Sequence, residues 1–290
     1  MILQKTIRAS VVTEGVGLHT GEQCHLILRP ALPNTGVVFV RQKGKGYETL
    51  PALSEYIVDT RFASTLGKGE FRISTVEHCL CAVSALRIDN LILELVGPEI
   101  PIQDGSSLFF LEALKKVGLV EQPVPRKYWV IHSPIEVVDG ERWARVEPYP
   151  GLRLSVTIDF PHPQIGQQTI DLDINEVTFS QEIAAARTFG FLKDAERLQA
   201  QGLARGGSLR NAIILDDNAI LNPEGLRWPD EFVRHKALDA LGDLSLLGAP
   251  LMGYLKVFKA GHDLMAQLVK KITNSPQCSR LQEMAFDISK

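Results

Sequence analysis

Apolar and polar positions alternate with period two along residues 23–28, 36–40 and 91–96, which predicts half-buried strands in the first part of the chain. Two stretches among them, 74–86 and 107–117, carry the helical period instead. Strands and helices are mixed and do not alternate regularly. After Gly118 comes Glu121-Gln122-Pro123-Val124-Pro125-Arg126-Lys127, a polar stretch whose two prolines cannot continue a helix and which suits an interdomain linker. The chain therefore divides near residue 125, into 1–125 and 126–290. The second part restarts with strands at 129–131, a hairpin of 135–138 and 143–146 about Asp139-Gly140, and a strand at 152–160. A helical run over 230–247 stops at Gly248-Ala249-Pro250, a strand follows at 254–258, and a last helix begins near Gly261-His262. Both parts read as strands first and helices later, so the expected class is α+β, with similar layers repeated twice. No residue-level repeat accompanies this.

Composition changes the picture little. Of 290 residues, 45% are apolar and 22% charged, and the net charge is −3. That is enough chain for two cores, without the basic surplus that nucleic acid or an anionic membrane would attract. No apolar run approaches the roughly 20 residues that cross a bilayer, and Met1-Ile2-Leu3-Gln4-Lys5 does not open a signal peptide. A cytoplasmic, monomeric protein is expected, with no nucleic-acid partner and no stable membrane insertion. Cys24, Cys79, Cys81 and Cys278 are too few and too irregular for a disulfide framework. Cys79-Leu80-Cys81 places one residue between thiols where a zinc ribbon or redox motif has two, so these read as small core residues.

Three places could carry chemistry. In the helix over 232–243, His235 and Asp239 stand at i and i+4, and about 100° per residue puts them on one face a turn apart. Asp243 lies a further turn along, close to that face. Such a pair is more often a helix surface contact than a metal site. Yet Val233, Ala237, Leu238, Leu241 and Leu244 make this helix largely buried, where unpartnered polar groups are costly. Second, Ser74-x-x-Glu77 is a capping-box pattern that needs no catalytic explanation. The same residues also allow His78 to bind a metal with Glu77 beside a bound water, although position 81 is Cys81 and the HExxH pairing is absent. Third, His262 sits where a strand gives way to a helix. The helix field there favours its neutral form, and a carboxylate such as Asp243 would favour the cation. Alone, it reads most simply as a surface or capping residue. The stretch 187–208 reads as a helix with an apolar face closed by a glycine-rich turn.

Six segments occur together in the order of one family: Gly15-Val16-Gly17-Leu18-His19-Thr20-Gly21, Thr75-Val76-Glu77-His78, Glu99-Ile100-Pro101-Ile102-Gln103-Asp104-Gly105-Ser106, Ala186-Arg187-Thr188-Phe189-Gly190-Phe191, Asp230-Glu231-Phe232-Val233-Arg234-His235-Lys236, and Gly261-His262. The chain resembles the UDP-3-O-acyl-N-acetylglucosamine deacetylases, over about residues 2–271. The resemblance implies two similar two-layer sheet/helix domains packed around one Zn²⁺ per chain, each bearing a small insert, the second near 182–208. It carries the zinc ligands to His78, His235 and Asp239, with a fourth position left for water. Glu77 then matches the general base, His262 the general acid, and Thr188 the hydroxyl that helps hold the oxyanion. Lys236 and Asp243 line the site.

The implied substrate contacts are Leu18 and His19 in the glycine loop, with Phe189, Leu192, Leu198, Ala204 and Gly207 in the insert. In related enzymes that insert is a βαβ unit wrapping a fatty-acyl chain, and the small Ala204 and Gly207 are expected to leave room between walls that include Leu192 and Leu198. The implied reaction is zinc-dependent hydrolysis of the N-acetyl group of UDP-3-O-(3-hydroxyacyl)-N-acetylglucosamine, releasing acetate, in lipid A biosynthesis. Iron competes for a two-His, one-carboxylate site. The chain departs from the family at Cys79, where aliphatic residues are usual, and over residues 59–65, which match loosely. The longer tail of some members is expected to be absent. A zinc amidase for another acylated amino sugar would share every catalytic residue, but the insert speaks against it. A silent nucleotide-sugar-binding protein would have lost one of Glu77, His78, His235, Asp239 or His262, and all five are present.

Overall fold

The computed structural model describes residues 2–284. Strands Val11–Val16, Gln23–Pro30, Leu91–Val96, Val37–Lys43 and Gly46–Pro51 form one sheet in that spatial order. The period-two pattern sends Leu26, Leu28, Phe39, Leu93 and Leu95 to a buried face. Helices α1 (Glu77–Ala85) and α2 (Leu108–Val117) contribute Leu80, Val83, Phe110, Leu111 and Leu114 to the same core. A three-stranded insert of Ile57–Asp59, Thr65–Lys68 and Phe71–Ile73 precedes α1.

A seven-stranded sheet organises the second part. Its central strand is Leu251–Phe258, parallel to Lys127–Ile131 and Leu152–Phe160 and antiparallel to Arg142–Glu147. The chain thus forms two sheet-and-helix units, each with an insert. The second insert pairs Phe189–Phe191 in parallel with Ile213–Leu215, and α3 (Leu192–Ala200) makes the crossover that parallel pairing requires. Two helices follow, α4 (Glu231–Leu244) and α5 (His262–Thr273). In α4 only Arg234 and Lys236 escape burial, as expected of a helix enclosed on nearly all sides. It continues as one 3₁₀ turn and ends at Gly248, whose φ of +74° closes the helix. The α1 and α4 helices cross at Gly242, where a Cβ would stand 2.4 Å from the Glu77 carbonyl oxygen. Only glycine permits that approach.

Three details differ from the pattern-based expectations. The proline-bearing stretch is not a free linker: Leu119–Pro125 is a strand antiparallel to Leu3–Ile7. The register shifts between Leu3 and Gln4, so Pro123 and Val124 fall in an irregularity where a missing N–H breaks no ladder bond. The hairpin pairs Asp139 with Arg142, so its two-residue loop is Gly140-Glu141, with Gly140 at φ +59°. The capping box does not form. The first helical residue is Glu77, Ser74 instead shares a hydrogen bond with the Thr65 hydroxyl, and the Glu77 carboxylate points away to Ser64. Thr75, at φ +57°, turns the chain between them.

Candidate active site

Because α1 and α4 cross so closely, side chains from the two units converge. Donor atoms of His78, His235 and Asp239 lie within 4.8 Å of one another, and all three residues are buried. The Nε2 atoms of His78 and His235 stand 3.7 and 3.3 Å from the same Asp239 Oδ1. His235 Nδ1 donates to the Ala186 carbonyl at 3.1 Å, which leaves the Nε2 lone pair facing the cluster. Burial presses the His235 pKa down to about 4, so the ring is neutral, the form that ligates a metal. Burial opposes charge on Asp239, but the Lys236 cation and a hydrogen bond with His78 help to hold the carboxyl well below its usual range. Lys236 Nζ takes Asp239 Oδ2 at 2.6 Å. Burial likewise opposes the Lys236 cation, and Asp239 more than compensates, raising its pKa. Two imidazoles and a carboxylate oxygen fit the donor set of an open zinc site.

A second chain of bonds runs beside this cluster. Glu77, on the first turn of α1, is buried, and burial pushes its carboxyl pKa up. The Ser64 N–H donates to its Oε2 at 3.1 Å, and the Ser64 hydroxyl donates to Asp243 Oδ1 at 2.5 Å. Asp243 Oδ2 in turn accepts from His262 Nδ1 at 2.7 Å. His262 opens α5, where burial and the helix field both disfavour a cation. Burial opposes the cation most, yet among the neighbouring groups Asp243, helped by Glu77, overrides it and raises the His262 pKa to about 9. With Nδ1 committed to Asp243, Nε2 is the nitrogen available to hand on a proton. The arrangement holds a metal-binding cluster, a buried carboxylate and a protonated imidazole side by side, which is the equipment of a hydrolase.

A family model described as UDP-3-O-acyl N-acetylglycosamine deacetylase matches residues 4–274. The chain belongs to this family. Curated relatives named UDP-3-O-acyl-N-acetylglucosamine deacetylase extend over almost its whole length. One from Bdellovibrio bacteriovorus (strain ATCC 15356 / DSM 50701 / NCIMB 9529 / HD100) is 56% identical, across 100% of this chain and 96% of the relative. One from Myxococcus xanthus (strain DK1622) is 50% identical, across 95% and 88%. A third, from Histophilus somni (strain 129Pt), is 47% identical, across 96% and 92%.

In this deacetylase-family chain the remaining candidate residues gather more loosely. Thr188 is pinned by its backbone, donating to Gly105 and accepting from Ile213, both at 2.8 Å. The Phe189 ring lies 5.0 Å from Phe232 and 6.3 Å from His235. His19 is buried, and burial lowers its pKa. Its Nδ1 accepts from the Ala204 N–H at 3.4 Å, and among the described residues nothing stands within hydrogen-bond geometry of its Nε2. Leu198 is partly buried, and Leu192 is 51% exposed. Gly207 lies where the insert loop meets the glycine loop. A Cβ there would meet the Ala204 oxygen at 3.3 Å and Leu18 Cδ1 at 3.8 Å, and Ala204 itself is turned to φ +54°. These small residues close the insert loop onto the glycine loop, where Arg205 and Gly206 donate to the His19 and Leu18 carbonyls.

Two residues at the site carried no assignment from sequence. Ser64 lies in the loosely matching segment and earns its place only through partners 13 and 179 positions away. Glu99 belongs to a motif that was visible, yet the motif gave it no role. It is fully buried and accepts from the N–H groups of His19 and Thr20 and from the hydroxyls of Thr20 and Thr75. A carboxylate so placed ties the glycine loop to the turn that starts α1. Gly17 makes space for it, since a Cβ there would lie 2.3 Å from Glu99 Oε2.

Proposed function

We propose that the chain hydrolyses the N-acetyl group of UDP-3-O-(3-hydroxyacyl)-N-acetylglucosamine, releasing acetate and the free amine, as a step of lipid A biosynthesis. The observation that carries the reading is the meeting of His78, His235 and Asp239 beside Glu77 and the His262–Asp243 pair. Those three residues would hold a zinc ion, which would supply Lewis acidity towards the amide carbonyl and a water.

The chain's own groups do the rest. Glu77, one residue before His78 and raised in pKa by burial, accepts the proton of the attacking water. The Thr188 hydroxyl donates to the carbonyl oxygen as it gains negative charge. His262 is cationic at neutral pH because of Asp243, and it delivers a proton from Nε2 to the departing amine nitrogen. Without that proton the leaving group would be an amide anion. Lys236 holds Asp239 Oδ2, so that Oδ1 stays turned to the two histidines. Leu18, His19, Phe189, Leu192, Leu198, Ala204 and Gly207 are the residues we assign to the substrate, the last five from the insert against which the acyl chain would lie. Burying a chain of about ten methylenes is worth roughly 8 kcal/mol before ordering costs, ample for acylation to act as the main selector.

The test is acetate release by the purified protein from the 3-O-acylated UDP-sugar and from UDP-N-acetylglucosamine. The reading expects the acylated sugar to be favoured in kcat/KM by several orders of magnitude. Efficient turnover of the unacylated sugar, or none of either, would remove the substrate assignment.

A further inference from the structure

The turn that delivers Ser64 to the site is built locally. The Asp59 carboxylate accepts from the backbone N–H and the guanidinium of Arg61, and Phe62 then reverses the chain at φ +64°. Ser64 itself is 1% exposed, and each of its polar atoms is committed. Its carbonyl accepts from the Val76 N–H at 3.4 Å, next to the start of α1. Its N–H donates to Glu77 Oε2, and its hydroxyl to Asp243 Oδ1. The other Asp243 oxygen carries His262. One small residue of the first insert therefore touches both the carboxylate that would take a proton and the carboxylate that orients the imidazole giving one back.

We propose that Ser64 is a positioning residue for the reaction, holding Glu77 and the Asp243–His262 pair in a fixed relation to each other. The inference rests on the deacetylase reading above and adds a residue to it. A buried carboxylate with one charged partner can pivot about that bond, whereas donors on both oxygens fix its plane. Asp243 has one donor on each oxygen, so the orientation of the His262 ring is set jointly by Ser64 and Asp243. The N–H bond to Glu77 comes from the same residue, so neither carboxylate can shift without disturbing the other. Alanine would keep the N–H bond and lose the hydroxyl, and threonine would keep both.

The experiment compares wild type, Ser64→Ala and Ser64→Thr, each as the full chain with one equivalent of Zn²⁺. It measures kcat and KM for the acylated UDP-sugar, bound zinc, melting temperature, and the downfield ¹H resonance of the His262 Nδ1–H···Asp243 bond. Losing a hydrogen bond to a charged group predicts a fall of about 10-fold or more in kcat for Ser64→Ala. KM and zinc content should hold, the melting temperature should fall by no more than a few degrees, and the His262 resonance should shift or broaden. Ser64→Thr should recover most of kcat and the wild-type resonance. Wild-type kcat and an unmoved resonance in Ser64→Ala would overturn the proposal. So would a loss that appears only as raised KM or released zinc, or an equal loss in Ser64→Thr. Should wild type itself release no acetate, the deacetylase reading fails, and the His262 resonance in Ser64→Ala still decides whether Ser64 positions the pair.

Discussion

Burial alone would strip His262 of its proton at neutral pH, and the Asp243 carboxylate 2.7 Å away reverses that outcome. Because its pKa is raised to about 9, the ring is a competent acid below that value and loses the role above it. A dication on the ligand set would pull the value down from there, so the alkaline limb of kcat/KM should fall at or below pH 9. Asp243→Asn removes the cause of the raised pKa. The alkaline limb should then move towards lower pH by about one unit or more, and a pH–rate profile that does not move would contradict the pairing. Glu77→Gln keeps the shape of the side chain and abolishes its basicity. It should retain zinc while losing roughly 100-fold or more in kcat, as read by metal analysis beside turnover. From sequence alone Glu77 and His262 were each ambiguous, because capping and surface roles use the same residue types. Their ambiguity lifted only when motifs far apart in the chain were taken together. Ser64 stayed hidden for the same physical reason, since its role is a long-range contact that leaves no local pattern.

Elements, more than single residues, decide whether the ligands meet. The helices α1 and α4 were legible as runs of helical period, and the end of α4 at Gly248 was visible in its glycine and the proline beyond. Their crossing was not legible, because no local pattern says which face of one helix meets the other. Gly242 is the residue that sets it, with the Glu77 backbone filling the place of a side chain. In an ordinary helix interior Gly→Ala is favourable by about 1 kcal/mol. Here the added methyl would push α1 from α4 and carry His78 away from His235 and Asp239. Gly242→Ala should therefore lower the melting temperature, by overpacking worth about 1–3 kcal/mol, and weaken zinc binding about 10-fold or more. A stabilised variant with full metal content would show that the crossing can relax. The strand Leu119–Pro125 reads locally as a linker because its prolines argue against pairing everywhere except at an irregularity, and the irregularity depends on a partner strand at the start of the chain. The capping box failed likewise, since Thr75 takes a left-handed turn and gives its hydroxyl to Glu99.

Across the whole molecule, the proposed ion would join two units: His78 comes from a helix of the first, and His235 and Asp239 from a helix of the second. Binding energy for the metal then becomes stability of their union, about 4 kcal/mol when free metal exceeds its dissociation constant a thousandfold. The apoprotein should melt several degrees below the loaded form, and His78→Ala should melt alike with and without added zinc. The two-unit plan was readable from strand and helix order, whereas the site between the units required the fold. No helix among the described residues is long and apolar enough to cross a membrane. The most direct test is a zinc titration of chelated protein with acetate release from the acylated UDP-sugar as the readout. The proposed site predicts no turnover without metal, and activity that rises linearly and saturates at one equivalent of Zn²⁺ per chain. Full turnover in protein that holds no measurable metal would contradict it.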